Sequence, residues 1–173
     1  MVKLNIGSGQ RRFDNAHGWV NIDRISRPPD QVPDFICDVG KERLPYQDGT
    51  VDMVVLHHVL EHFGCGEGVA LIQECHRVLR YGGSLQIFVP DMQALAMAWL
   101  DEGRISTQVY MTNVYGAYQG EESDRHKWGY DFVSLSAHLK DSCKWRVIMS
   151  PRYDFPGADI AKDWWILGME CVK

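Results

Sequence analysis

No stretch of the sequence approaches the roughly 20 consecutive apolar residues that span a bilayer, and no apolar run near Met1 has the length of a signal peptide. The expectation that follows is a soluble, cytoplasmic chain with no membrane partner. Cysteines in Cys-x-x-Cys pairs are missing too. Cys37, Cys65, Cys75, Cys143 and Cys171 are odd in number and scattered, which argues against a disulfide framework or a structural zinc site and for buried reduced thiols. Basic residues are in deficit, with 18 Lys and Arg against 23 Asp and Glu and a formal charge of -5, and this argues against a broad nucleic-acid-binding face. The local basic spots Arg11-Arg12 and Arg77 with Arg80 read as solvated surface. Internal repeats and low-complexity tracts are absent.

What remains describes a globular chain. Hydrophobic residues at 45% and charged residues at 24% suit a soluble fold, and 173 residues can hold one full core but not two. We therefore expect one domain over residues 1–173.

The informative stretch comes first. Leu4-Asn5-Ile6 reads as a strand that runs directly into Gly7-Ser8-Gly9, and a second short strand, Val20-Asn21-Ile22, closes on Asp23. Glycines at both positions let the backbone turn sharply and approach a ligand, where any side chain would intrude. An acid at the end of the next strand then lies beside the same crevice, able to accept hydrogen bonds from ribose hydroxyls. An ordinary β-turn followed by an unrelated strand would explain these residues equally well. The link from Gln10 to Trp19 is near the minimum for a parallel crossover and shows no apolar helical period, and Arg12 stands where a dinucleotide fingerprint needs its third glycine. Both features argue against a nicotinamide dinucleotide, whose pyrophosphate needs a helix N-terminus.

Further along, Ser26 to Pro33 is a proline-rich loop and Asp34 to Asp38 a third strand that again closes on an acid. Turn residues from Leu44 to Thr50 precede an apolar fourth strand, Val51 to Leu56, of the kind buried on both faces of a parallel sheet. Apolar residues at Val69, Ile72, Cys75 or His76, and Leu79 predict a helix over Gly66 to Arg80, ended by Gly82-Gly83. Ser84 to Val89 is a fifth strand stopped by Pro90. Asp91 can cap a helix through about Glu102, with Met92, Leu95, Ala96, Trp99 and Leu100 on one face. The pattern is lost between Gly103 and Tyr130, where Tyr110, Tyr115, Tyr118, Trp128 and Tyr130 collect. A helix over Ser134 to Ser142 and two late strands, Trp145 to Met149 and Trp164 to Val172, complete the chain. Strands alternating with helices predict an α/β fold with a mostly parallel sheet and helices on both faces.

In that order the motifs resemble the class I S-adenosylmethionine-dependent methyltransferases, of the type 11-like kind. Leu4 to Gly9 resembles the first motif, Val20 to Asp23 the second-strand acid, and Asp38 with Leu44 to Asp52 the third-strand acid and its turn. His58-Val59-Leu60-Glu61-His62 resembles the segment after the fourth strand, and His76 to Gly83 the helix end before the fifth. The resemblance runs from Lys3 to Asp91. It implies a Rossmann-like three-layer sandwich with a seven-stranded sheet, the last strand antiparallel, residues 1–91 holding the cofactor and 92–173 facing the substrate. S-adenosylmethionine has no phosphate, so the missing helix after Gly9 matters less. The family pattern implies that Gly7, Ser8 and Gly9 pack on the cofactor through backbone, Asp23 takes the ribose hydroxyls, Asp38 the adenine amine and Val39 the adenine ring. Backbone at Leu56 and His57 would border the methionine end. The chain departs from the family at Asn5, where an acid is usual, at Arg11, the third glycine position, and in having no N-terminal lid helix. The last departure makes a second copy of the chain or a partner protein a candidate for closing the site.

His58-x-x-Glu61-His62 also matches a zinc metallopeptidase pattern, in which two histidines on one helical face hold the metal and Glu is the base. It follows a parallel-type strand, and spacing reveals no third ligand. A helix start beside the cofactor is the reading we prefer, with no metal. In His126-Lys127-Trp128-Gly129-Tyr130-Asp131, His126 could serve as general base and Trp128 or Tyr130 as a wall against the acceptor, or the aromatics could fill core beneath a turn. His58, Asp91 and His126 are the candidate catalytic residues. The expected activity is methyl transfer to a small, sugar-like molecule. The rivals are a non-catalytic cofactor-binding or scaffold subunit and a zinc hydrolase.

Overall fold

The computed structural model describes residues 1–101, 104–117, 121–149 and 164–173. The expected helix end at Glu102, the aromatic Tyr118 and the loop between the two late strands lie outside them. The strands are β1 Lys3–Ile6, β2 Trp19–Asp23, β3 Phe35–Ile36, β4 Val51–His57, β5 Leu79–Pro90, β6 Val147–Met149 and β7 Ile166–Val172. The helices are α1 Cys65–Val78, α2 Met92–Leu100, α3 Thr107–Tyr115 and α4 Phe132–Ser142. One seven-stranded sheet runs in the order β3-β2-β1-β4-β5-β7-β6. Neighbours among β1 to β5 pair in parallel, and β7 is inserted antiparallel between β5 and β6, the Rossmann-like arrangement anticipated above. No helix among the described residues is long and apolar enough to cross a membrane.

The central strands are continuous apolar runs because both faces are covered. Val54, Val55, Leu56, Leu85, Ile87, Phe88 and Val89 are fully buried. One face receives Leu71, Ile72, Cys75 and Val78 of α1 with Leu135 and Leu139 of α4, while Phe13 and Trp19 cover Val55 and Phe88 on the other. β7 is covered on one side and shows it, with Leu167, Met169 and Cys171 buried in alternation. The thiols are all free, but Cys65 is exposed and Cys143 only half-buried.

The link between β1 and β2 contains only a 3-10 turn, Asn15–His17. Polar side chains fix it in place of a helix. Asn21 accepts from Phe13 N at 2.8 Å and donates to Phe13 O at 2.9 Å, while Asp34 accepts from Asn21 N and Nδ2, both at 2.8 Å, and pairs with Arg12.

Several elements differ from expectation. β3 is only two residues long and exposed, because the chain turns after Ile36 to bring Cys37 N onto Asp23 O at 2.9 Å. α1 stops at Val78, and Gly82-Gly83 lie inside β5 rather than at a helix end. A Cβ at Gly83 would meet the carbonyl oxygens of Arg80, Asp52 and Val51 at 3.0–3.1 Å, so glycine there lets β5 press against β4 at their register shift. α2 buries Leu95 and Ala98 and leaves Trp99 and Leu100 exposed. α3 was not anticipated because it buries no residue and so carries no apolar stripe. Its one legible signal is Ser106, whose hydroxyl accepts from Val109 N at 3.2 Å as an N-cap. Trp99 stacks on Tyr110 with ring centroids 4.8 Å apart, which gives part of the aromatic-rich stretch its place. The late strands begin at Val147 and Ile166, two residues inside the expected starts.

Candidate functional site

The loop after β1 is set by two left-handed glycines, Gly7 at φ 66° and Gly9 at φ 48°. A Cβ on Gly7 would lie 2.4 Å from Val59 Cγ2, so that residue must be glycine for space as well as for φ. Ser8 N donates to Ile22 O at 3.0 Å and Gly9 N donates to Asp23 Oδ2 at 2.8 Å, joining the glycine turn to the end of β2. Asn5 is buried, and its Nδ2 donates to Arg11 O at 2.7 Å and Asn21 Oδ1 at 2.9 Å. The side chain that replaces the usual acid is thus engaged within the chain, holding the loop's return.

Over the C-terminal ends of β1, β2 and β4 opens a cavity of about 390 Å³. Of the expected site residues, Gly7, Gly9, Asp23, Asp38, Val39 and His58 line it. Burial raises the Asp38 pKa, but hydrogen bonds from Lys41 and Gly40 N outweigh that and leave the carboxyl below its ordinary value and ionised at neutral pH. Both acids keep lone pairs for a ligand, since an ionised carboxylate offers about four acceptor positions.

The opposite wall was not legible in the sequence. Ser123, Asp124 and Lys127 come from the segment that follows the unanticipated α3, and Arg24 and Arg27 from the loop after β2. Glu121 joins the two, pairing with Arg24 and Arg27 at 2.5 Å each. Lys127 N and Trp128 N both donate to Glu61 O, at 2.8 and 3.1 Å. Residues 121–128 are thereby tied across the cavity mouth. These contacts span some 60 to 100 positions, and no local pattern announces them.

The remaining expected residues stand off the cavity lining. Ser8 is buried below it with its hydroxyl unpartnered. Leu56 is fully buried core. His57 is buried against Phe88, ring centroids 5.4 Å apart, with Nε2 2.5 Å from Arg11 Nη1. Burial, reinforced by His58 and the Arg11 guanidinium, drives its pKa to about 3, so it is neutral. Asp91 caps α2, its Oδ1 accepting from both Gln93 N and Ala94 N at 3.0 Å, and lies outside the cavity lining. His126 lies behind His62, held by Asn113 O at 2.7 Å, and burial keeps its pKa below the ordinary value. Trp128 is half exposed outside the cavity lining. Tyr130 is 1% exposed, its ring 5.6 Å from that of His138 in α4 and its hydroxyl beside Gly68 of α1, filling core as the alternative reading had it; apolar burial takes it from the acceptor wall.

His58 has the left-handed φ of 54°, the one non-glycine residue to do so among the described residues. Backbone held in this region marks a place where surrounding contacts over-determine the chain. Here they are His58 N to Phe88 O at 2.9 Å, Nδ1 to Glu61 Oε1 at 2.9 Å, and the ring stacked on Trp165 at 5.4 Å. The segment Leu60–His62 that follows is a 3-10 turn. His58 and His62 therefore do not share a helical face, and the metallopeptidase arrangement is not formed.

Parallel β1 to β5, an antiparallel β7 inserted beside β5, and a glycine turn bonded to the β2 acid at one cavity decide the architecture. The chain has the fold of the class I S-adenosylmethionine-dependent methyltransferases. The sequence profile of the family described as Methyltransferase domain matches residues 12–87. An S-adenosylmethionine-dependent methyltransferase from Archaeoglobus fulgidus is similar over 99% of this chain and 85% of its own, with a TM-score of 0.64 at 13% identity. One from Thermotoga maritima is similar over 99% and 82%, TM-score 0.62, 14% identity. The 1,6-didemethyltoxoflavin-N1-methyltransferase of Burkholderia thailandensis, solved with its acceptor and S-adenosylhomocysteine, is similar over 99% and 70%, TM-score 0.60, 17% identity. No curated protein sequence matches the chain.

Proposed function

We propose that this protein binds S-adenosylmethionine in the cavity over β1 and β2 and transfers its methyl group to a small, sugar-like acceptor. The observation that carries the reading is the Gly9 to Asp23 hydrogen bond at the cavity, since it turns the Asp23 carboxylate toward the same space that the glycine turn leaves open for a close ligand. The residues fit a nucleoside without phosphate. Asp23 accepts from the ribose hydroxyls, Asp38 from the exocyclic amine of adenine, and Val39 borders the ring. Arg24 and Arg27, the cations that a phosphate would recruit, are paired with Glu121 instead.

S-adenosylmethionine supplies a methyl group on a sulfonium, a good leaving group, so most of the acceleration comes from alignment of donor and acceptor. This chain's residues do the aligning. The wall of residues 121–127 closes over the acceptor side, and its polar groups with Glu67 suit a hydroxylated molecule. His58, with Glu61 holding its Nδ1, would be placed at the cavity to take a proton from the acceptor, while the bound cofactor would supply the methyl group.

The test is thermal unfolding with S-adenosylmethionine and S-adenosylhomocysteine, followed by turnover on a panel of sugars and small hydroxylated acceptors. Both ligands are expected to raise Tm. No shift with either overturns the reading, and tight binding without turnover across the panel favours the non-catalytic subunit.

A further inference from the structure

We propose that Glu61, His62 and His126 form a binding site for one divalent transition cation, zinc in the first instance, at the edge of the cavity. One donor atom from each lies within 4.8 Å of the others. His126 arrives from the segment after α3, far from the other two in sequence.

Glu61 supplies the second observation. Its side chain is 1% exposed, and while Oε1 takes His58 Nδ1 at 2.9 Å, Oε2 is buried without any hydrogen-bond partner. A buried carboxylate oxygen left unpaired costs free energy that a bound cation would recover. The rings are prepared for such an ion. His62 Nδ1 is 3.2 Å from Arg125 O and His126 Nδ1 is 2.7 Å from Asn113 O. Each Nδ1–H thus donates to a backbone carbonyl, the outer contact that fixes the tautomer of metal-ligating histidines and turns the Nε2 lone pair outward. The two rings meet edge to face with centroids 4.9 Å apart. Two imidazoles and one carboxylate suit zinc and other borderline cations better than magnesium or calcium, which take mainly oxygen ligands. Zinc bonds of about 2.0–2.2 Å would draw the three donors together by roughly an ångström.

Three protein ligands leave one position of a tetrahedral ion open. His62 also lines the cavity, so that position borders the space given above to the acceptor, where the ion would favour loss of an acceptor proton. This last role rests on the methyltransferase reading. Metal binding itself does not.

The experiment uses the full chain after chelator treatment. Calorimetric titration with Zn²⁺ is expected to give one ion per chain, and Co²⁺ the strong visible absorption of a low-coordinate site. His62→Ala and His126→Ala should each weaken binding by more than about tenfold, since loss of outer contacts alone costs that much. His17→Ala, at an exposed ring, should change nothing. X-ray absorption of the zinc-loaded wild-type protein, which needs no variant to fold, should find two imidazoles on the metal. Failure of the wild-type chain to bind zinc, a coordination sphere without imidazole, or undiminished binding in folded His62→Ala and His126→Ala would each overturn the proposal. None of these readouts involves S-adenosylmethionine, so failure here and failure of the methyltransferase reading are told apart.

Discussion

Gly9 donates its backbone N–H to the Asp23 carboxylate at 2.8 Å, so the glycine turn after β1 and the acid ending β2 are one bonded unit. Asp23 has two separable duties, shaping the loop and facing the cavity. Asp23→Asn keeps a carbonyl oxygen for Gly9 and loses the charge. It should leave stability within about 1 kcal/mol of the parent while weakening S-adenosylhomocysteine binding by roughly tenfold, the worth of a charge-assisted bond. Asp23→Ala loses both, so binding should vanish and the urea midpoint should fall. Calorimetry and urea unfolding on the pair separate the duties; equal ligand affinity in both variants and the parent would place the cofactor elsewhere.

Arg77 is the second hub, in the last turn of α1, where it gathers the turn that leads into β4. It donates to Glu74 at 2.6 and 2.8 Å, Asp48 at 2.6 Å, Tyr46 O at 2.8 Å and Leu44 O at 3.2 Å. Side chains of Arg77 and Glu74 are 16% and 13% exposed, so the pair is well shielded. Only a planar fork reaches so many acceptors at once, which predicts that Arg77→Lys rescues little of what Arg77→Ala loses. A cost of about 3 kcal/mol is expected for either, read as a lower urea midpoint at unchanged slope.

These two hubs show what could be read in the sequence and what could not. The sheet was legible because β1, β4 and β5 are buried on both faces and write that burial as apolar runs, and the cavity floor because glycine and acid fall at strand ends. Arg77 looked like solvated surface, since nothing local tells that Leu44, Tyr46 and Asp48 fold back onto it. α3 was hidden for the opposite reason, burying nothing. The far wall depends on Glu121 meeting Arg24 and Arg27, and the place of Tyr130 depends on α4 packing beside α1, both matters of tertiary contact rather than period. His58-x-x-Glu61-His62 misled in form, because a left-handed His58 and a 3-10 turn replace the helix the spacing suggests.

Acid sensitivity follows from His57. Its pKa is about 3 in the fold against 6.5 when unfolded, so below pH 6.5 the unfolded chain takes up a proton that the folded chain refuses. The stabilisation is complete above pH 6.5, declines as pH falls toward 3 and levels off beneath that. At pH 5 the loss from this group is about 2 kcal/mol. His76, His126 and His138 are shifted in the same direction, in each case chiefly by burial, and add to the slope. His57→Gln retains an acceptor for Arg11 and should lower the proton uptake on unfolding by up to one between pH 6.5 and 3, measured from urea midpoints across that range. An unchanged slope would mean that His57 titrates normally.

The wall over the cavity hangs on Glu121. Its carboxylate bridges Arg24 and Arg27, and the Arg27 hydrogen bond is the main cause holding its pKa below the ordinary value, so the bridge is intact at neutral pH and opens only in acid. The groups are partly solvent-exposed, and ion pairs of that kind are screened by salt. Raising ionic strength from about 0.05 to 0.5 M should therefore loosen residues 121–127 and speed S-adenosylhomocysteine release a few-fold. Glu121→Gln should release the ligand at the faster rate already in low salt and respond little to further salt, while Asp23, on the opposite wall, keeps the floor of the site intact. Stopped-flow displacement of the bound ligand measures both. If parent and variant share one salt dependence, the Glu121 bridge does not govern access, and the wall is held by the Lys127 and Trp128 bonds to Glu61 O instead.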